Sequence, residues 1–354
     1  MKIGIPRGMN YYNYYPFWHG FFTYLGIEPV LSSPTTKKII SKGSELVVPE
    51  TCLPVKIFMG HVLDLIDDKG IDVIYVPSHQ SIAPKIYNCS KIRGLPDLVR
   101  NVVKRNFLLI EPTLDKSEKK QGLYQYLYDS VAPLGIIDKK LIKKASKAGW
   151  EAQNNFAAMM RSGMNFHKAM KYAIEGKFVN EVEQDNKKYP VNVAVISHGY
   201  NLYDNRISMS VFDKLEKLDV KSYTAENLSL EEMKRGFPVL NTTLYWANEY
   251  EMTGAAGHYL VDKNIDGIVT LTSFGCGPDS IMIERVTRFA KRYNKPLLNL
   301  TVDEHTGEAG FITRLEAFTD MLVRRKRETI IKSFSKQFGE AKEKKEPQNQ
   351  AAGF

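Results

Sequence analysis

Twice along the chain, short apolar runs rich in β-branched residues alternate with stretches of helical periodicity, and no other feature restricts the fold as much. In the first region KIGIP (2–6), EPVLS (28–32), ELVV (45–48) and IDVIYV (71–76) read as strands. Between them lie an aromatic-rich helix over 14–26, a short helix near 35–42 and another near 54–67. In the second region VNVAVIS (191–197), VKSYT (220–224), IDGIVTLTS (265–273) and PLLNLTV (296–302) read as strands. Helices are expected there over 208–219, about 244–263, from about 278, and over about 310–334. Strands alternating with helices predict α/β architecture with mostly parallel sheets covered on both faces. From 139 to 173 Ala, Met, Lys and Gln dominate a long helical pattern, which reads as a connector. The expected organisation is an α/β domain over 1–120 carrying Cys52 and Cys89, a helical connector over 121–189, and a second α/β domain over 190–335 carrying Cys276. The segment EVEQDNKKYP (181–190) reads as a linker, and 336–354 as a disordered tail.

The net charge of +9 does not signal a nucleic-acid partner. Between Arg324 and the C-terminus nine lysines and arginines stand against four glutamates, so the rest of the chain is close to neutral. The longest apolar runs, IDVIYV and VAVIS, fall far short of the ~18 residues a membrane span needs, and no membrane association is expected. MKIGIPRG has no basic region followed by a longer apolar stretch, so a cytoplasmic location is expected rather than secretion.

Three cysteines, an odd and sparse set without a CxxC pair, argue against both a disulfide framework and a compact zinc motif. Their spacing alone suits three unrelated core thiols; their settings point elsewhere. Cys52 follows ELVV, Cys89 lies in the loop after IDVIYV, and Cys276 follows IDGIVTLTS. Open parallel sheets bind ligands outside the carboxyl ends of their strands, so two facing halves can bring these thiols to one crevice. Cys52 precedes a Leu-Pro helix start and Cys276 sits in GCGPDS, also entering a helix, where the thiolate is favoured. Three thiolates on an iron–sulfur cube leave one iron to a non-cysteine ligand. There is no GxxxxGK[ST] loop; Gly176-Lys177 lacks the upstream glycine and the following hydroxyl residue.

KIGIPRGMNYY, ETCLPVKIFMGHVLDL (50–65), YNCSKIRGLPD (87–97), LTSFGCGPDS (271–280) and DEHTGEAGFITRLEAF (303–318) together resemble the cluster-binding subunits of 2-hydroxyacyl-CoA dehydratases and benzoyl-CoA reductases. The likeness is nearest to their stand-alone branch of acyl-CoA dehydratase activase-related proteins and covers about 1–330. It implies two Rossmann-like domains with a [4Fe–4S] cluster between them, and it places the family's three cysteine positions on Cys52, Cys89 and Cys276. It also implies an ATP-hydrolysing activator, itself a [4Fe–4S] protein, that delivers a low-potential electron. The remaining partner would be a second copy or a related subunit, and the substrate an acyl-CoA or another small molecule. Two roles follow: an activator-dependent reductase or acyl-CoA dehydratase, or an electron-relay or accessory subunit without a substrate pocket of its own.

Other residues are candidates by position. His198 and Tyr200 follow VNVAVIS and should open onto the crevice, with Asp204 as a helix cap. Asp303, Glu304 and His305 follow PLLNLTV; His305 could shuttle protons, while Asp303 or Glu304 could hold Arg314 in an ion pair. Lys56, one turn after Cys52, could offset the charge of an anionic cluster. His79 is a candidate fourth ligand, but GCGPDS has space and no second strong ligand beside Cys276, which favours an open iron.

Overall fold

The computed structural model describes residues 1–117, 122–178, 187–242 and 246–343. Two parallel four-stranded sheets form its frame, and the chain is of the α/β class with Rossmann-like halves. The first sheet has the order β2-β1-β3-β6, built from β1 (Lys2–Ile5), β2 (Glu28–Leu31), β3 (Val73–Tyr75) and β6 (Leu108–Ile110). The second has the order β11-β10-β8-β9, from β8 (Val191–Ile196), β9 (Val220–Tyr223), β10 (Gly267–Ser273) and β11 (Leu297–Val302). Every residue of β10 is buried, as a central parallel strand covered on both faces requires. It is held in register by Ile268 opposite Leu297 and Gly267 opposite Val193.

A third, smaller sheet of β4 (Ser78–Ala83), β5 (Ile86–Tyr87) and β7 (Thr113–Asp115) extends from the first. Its strands escape sequence reading because SHQSIA and TLD carry no clean apolar alternation. They matter because β4 and β5 lead directly to Cys89.

ELVV does not form a strand. Glu45 and Leu46 end a helix over Lys37–Leu46, and Val48 is exposed. The place beside β1 is filled by β3, and that helix is held elsewhere by very close packing on the helix Leu53–Leu63. A Cβ on Gly43 would sit 1.8 Å from the Lys56 carbonyl oxygen. Tertiary contact overrides the β-propensity of two valines.

The aromatic helix, Tyr11–Tyr24, buries Tyr11, Tyr12, Tyr15, Phe17, Trp18, Phe21 and Phe22, so its rings form core. It packs on the connector helix Lys139–Arg161, where Gly20 and Gly149 let the backbones approach closely. The closing helix, Glu308–Glu343, buries Phe311, Leu315, Phe318 and Leu322. Residues 336–343, expected in a disordered tail, therefore continue a helix; 344–354, and most of the 181–190 linker, lie outside the described residues. No described helix is long and apolar enough to cross a membrane.

Candidate functional site

Each of the three cysteines is the residue that opens a helix. Cys52 precedes Leu53–Leu63, Cys89 precedes Ser90–Arg93, and Cys276 precedes Gly277–Arg292. The first and third helices carry proline in their first turn, which presets the helical φ and needs no N–H partner. The backbone N–H groups of Val55 and Asp279 accordingly point at the Cys52 and Cys276 sulfurs and favour their charged forms.

The loops that carry them meet. Gly275, at φ +79°, lies where an added Cβ would be 3.7 Å from the Glu50 carbonyl oxygen, so GCGPDS abuts the approach to Cys52. Tyr87, two residues before Cys89, makes a β-bridge with Trp246 of the second half. A thiolate at Cys89 acts electrostatically on Cys52, one at Cys52 acts on Cys276, and all three act on the Tyr200 phenol. Burial pushes the Cys52 thiol up against the pull of Lys91. Burial and then the Asp279 carboxylate push Cys276 well above the ordinary thiol range.

Beside Cys276 stands a buried pair: His198 Nε2 lies 2.7 Å from Asp279 Oδ1. His198 follows β8 by two residues and opens the short helix Gly199–Leu202, and Asp279 lies in the first turn of the Cys276 helix. A ring nitrogen of His198, the Cys276 sulfur and an Asp279 oxygen all lie within 4.8 Å of one another. Burial disfavours the charged imidazole, but the facing Asp279 carboxylate, together with Glu251 and Glu249, more than offsets this and raises His198. Tyr200 stacks on His198 with ring centroids 4.9 Å apart, and burial pushes its phenol far up. Glu249 is pushed up to about 7 by burial and by Asp279. Asp279 Oδ2 and Glu249 Oε1 are both buried without a hydrogen bond. Among the described residues the donors that converge within 4.8 Å are His198, Cys276 and Asp279, while Cys52 and Cys89 stand outside that group. Sulfur beside an orphaned carboxylate oxygen is a donor set of the kind that binds iron.

Residues 2–228, from β1 through β9, match the model of a family described as the CoA enzyme activase uncharacterised domain (DUF2229). The chain belongs to this family. The matched part contains Cys52, Cys89, His198 and Tyr200, while Cys276 and Asp279 lie beyond it. None of the curated proteins matches the chain. Among solved structures, the C-terminal domain of glucosamine-fructose-6-phosphate aminotransferase from Francisella tularensis is similar at 12% identity, over 92% of this chain and 84% of its own, with a TM-score of 0.21.

The other candidates of this DUF2229 chain are distributed differently. Lys56 is engaged by Glu304 and the Pro49 carbonyl, and Lys91 is the cation that acts on Cys52. His305 is exposed, with its backbone N–H donated to Asp303, and is not in the group around Cys276. Arg314 donates to the Asn299 carbonyl, while Asp303 accepts from Thr306, so the expected Arg314 ion pair with Asp303 or Glu304 does not form. His79 is buried among Tyr14, Trp18 and Tyr126, its Nε2 3.3 Å from the Tyr126 hydroxyl, and burial lowers it to about 4. Its ring belongs to that aromatic cluster and not to the Cys276 group. Asp204 accepts from the backbone N–H groups of Arg206 and Ile207 in the manner of a cap, and also from Tyr12 and Thr35 of the first half.

The expectation that nothing strong stands beside Cys276 is corrected by Asp279. Its signal was present as C-x-x-D in GCGPDS, but an acid in a helical first turn reads equally as a dipole partner. Glu249 comes from an unpatterned ANEY stretch and left no signal.

Proposed function

We propose that this chain is an iron–sulfur protein, with Cys52, Cys89 and Cys276 holding one [4Fe–4S] cluster between its two α/β halves. In this reading it is of the cluster-binding kind found in 2-hydroxyacyl-CoA dehydratases and benzoyl-CoA reductases. It accepts low-potential electrons from an ATP-hydrolysing [4Fe–4S] activator for reductive or radical dehydration chemistry. What supports the reading is that three helix-opening cysteines from both halves all act electrostatically on the Tyr200 phenol.

When bound, such a cluster supplies a one-electron carrier with one iron coordinated by something other than cysteine. The chain's own residues do the rest. At Cys52 the Lys91 charge and the Val55 N–H favour the thiolate against the larger effect of burial, and at Cys276 the Asp279 N–H does the same. Glu249, pushed up to about 7, retains a proton close to neutral pH, and His198 is held by Asp279. Tyr200 presents a phenol to the same space. The test is anaerobic reconstitution with iron and sulfide, followed by EPR of the reduced protein. Addition of the cognate activator, ATP and a strong reductant should change that spectrum. Full reduction by dithionite with no effect of ATP would remove the activator from the scheme, and a chain that takes up no iron would remove the cluster.

A further inference from the structure

We infer that Asp279 is the non-cysteine ligand of the metal centre, an oxygen donor built into the same helix start as Cys276. The inference rests on the cluster reading above and names a residue that reading leaves open. Asp279 is 1% exposed, and its two oxygens have different fates. Oδ1 is taken by His198 Nε2 at 2.7 Å, whereas Oδ2 is buried with no nitrogen or oxygen donor, and the carboxylate's other hydrogen-bonding neighbour is the Cys276 thiol itself. A buried carboxylate oxygen without a partner is costly, and a cation offsets that cost directly. The partner must lie near Cys276, because sulfur, carboxylate oxygen and imidazole nitrogen share a space 4.8 Å across.

Local geometry explains the pairing. Cys276 opens the helix and Asp279 is three residues on, so both side chains fall on one face of its first turn. C-x-x-D thus repeats the spacing of common metal-binding cysteine pairs, with a carboxylate in place of the second thiolate. His198 then has the place of an outer-shell partner: it fixes the carboxylate's orientation through one oxygen and leaves the other for the metal. Glu249 also has an orphaned oxygen but, like Cys52 and Cys89, stands outside the 4.8 Å group around Cys276, whereas Asp279 is inside it, and the His79 ring belongs to the aromatic cluster with Tyr126. A carboxylate on iron is a hard oxygen donor among soft sulfurs, the kind of ligand that an incoming oxygen donor can displace.

The experiment compares the wild-type chain with Asp279→Ala, Asp279→Asn and Asp279→Cys after anaerobic reconstitution. Iron and sulfide are counted before and after one equivalent of ferricyanide, with EPR on each sample. Loss of the uniquely held iron follows [4Fe–4S]²⁺ → [3Fe–4S]⁺ + Fe²⁺ + e⁻, the electron going to ferricyanide. The wild type is expected to keep four irons, and Asp279→Ala and Asp279→Asn to lose one and show a three-iron EPR signal. Asp279→Cys should restore retention, which separates lost ligation from lost folding. Equal retention in wild type and Asp279→Ala, or equal loss, would overturn the assignment while leaving the cluster itself in place. A wild type that binds a single divalent ion, or none, would overturn both the assignment and the cluster.

Discussion

Lys56 Nζ lies 2.5 Å from Glu304 Oε1 and 2.8 Å from the Pro49 carbonyl, tying the Cys52 helix to the loop after β11 in the other half of the molecule. The lysine side chain is 5% exposed and the glutamate 24%, and this asymmetry decides what breaking the pair does. Without Glu304 a buried ammonium keeps only one carbonyl partner. Without Lys56 the carboxylate can still be reached by water. Glu304→Ala should therefore cost about 3 kcal/mol and Lys56→Met clearly less, since an uncompensated buried charge is the expensive outcome. Thermal unfolding of both variants checks this, and the reverse order would show that the lysine is solvated more easily than its burial implies.

The second prediction concerns acid stability and His61. Its ring is fully buried, with Nε2 3.0 Å from Thr35 Oγ1. Because Thr35 donates its own proton to Asp204, the hydroxyl accepts from Nε2–H, and Nδ1 is left bare and buried. Burial, and then the Arg7 charge, lower His61 from 6.5 to about 3. The unfolded chain therefore binds a proton in that interval that the folded chain refuses. Stability from this group is complete above about pH 6.5 and is lost as pH falls towards 3, at up to about 1.4 kcal/mol per pH unit. His61→Gln should flatten the dependence of the melting temperature on pH between 4 and 6.5; an unchanged slope would mean that His61 is not neutral in the fold.

Close helix packing gives the third prediction. At Gly43 a Cβ would meet the Lys56 carbonyl oxygen at 1.8 Å and the Gly60 nitrogen at 2.6 Å, and backbone atoms cannot swing aside. Gly43→Ala should destabilise by about 3 kcal/mol or more, because the helix that carries Cys52 and Lys56 must move bodily. Gly310→Ala is the control: nothing lies within 4 Å of its Cβ, it stands inside the closing helix, and alanine there should stabilise by about 1 kcal/mol. Denaturant midpoints measured side by side would expose a failure of either expectation.

Seven of the eight strands of the two parallel sheets were legible because buried β-branched runs such as GIVTLTS have no helical alternative of that length. The short LLI run of β6 was not read as a strand, and ELVV was read as one in error. β4 and β7 were not legible, since Ser, His, Gln and Asp there are placed by hydrogen bonds such as Ser81 to Asp115 rather than by apolar alternation. The same division holds at the site. Cys276, His198 and Tyr200 could be named because they follow strands visible in the sequence, and Cys52 because Leu-Pro marks the helix it opens. The strand expected before Cys52 does not form, however, and β4 and β5 before Cys89 were not read. Which carboxylate joins them depends on a contact between residues 198 and 279, and which cation balances them depends on Lys91 and Lys56 facing different loops. Such pairings between distant residues leave no periodic trace.

The last prediction uses the metal-free chain and does not need the cluster at all. Cys276 is partly exposed, so access alone suggests ready alkylation. Its thiol is nevertheless raised far above the usual range, first by burial and then by the neighbouring Asp279 charge. Alkylation proceeds through the thiolate, so at pH 7.5 Cys276 should react slowly with iodoacetamide. Removing the Asp279 charge lowers the thiol pKa and should speed the reaction, by about tenfold for each pKa unit recovered. Asp279→Asn keeps the side-chain shape and is the variant to use, under anaerobic conditions with a chelator present. Peptide mass spectrometry over a time course would follow each cysteine separately. Cys276 should gain most, because Asp279 adjoins it directly, with a smaller gain at Cys52, which feels the same carboxylate more weakly. Equal rates in wild type and variant would show that the Asp279 charge does not reach the sulfur.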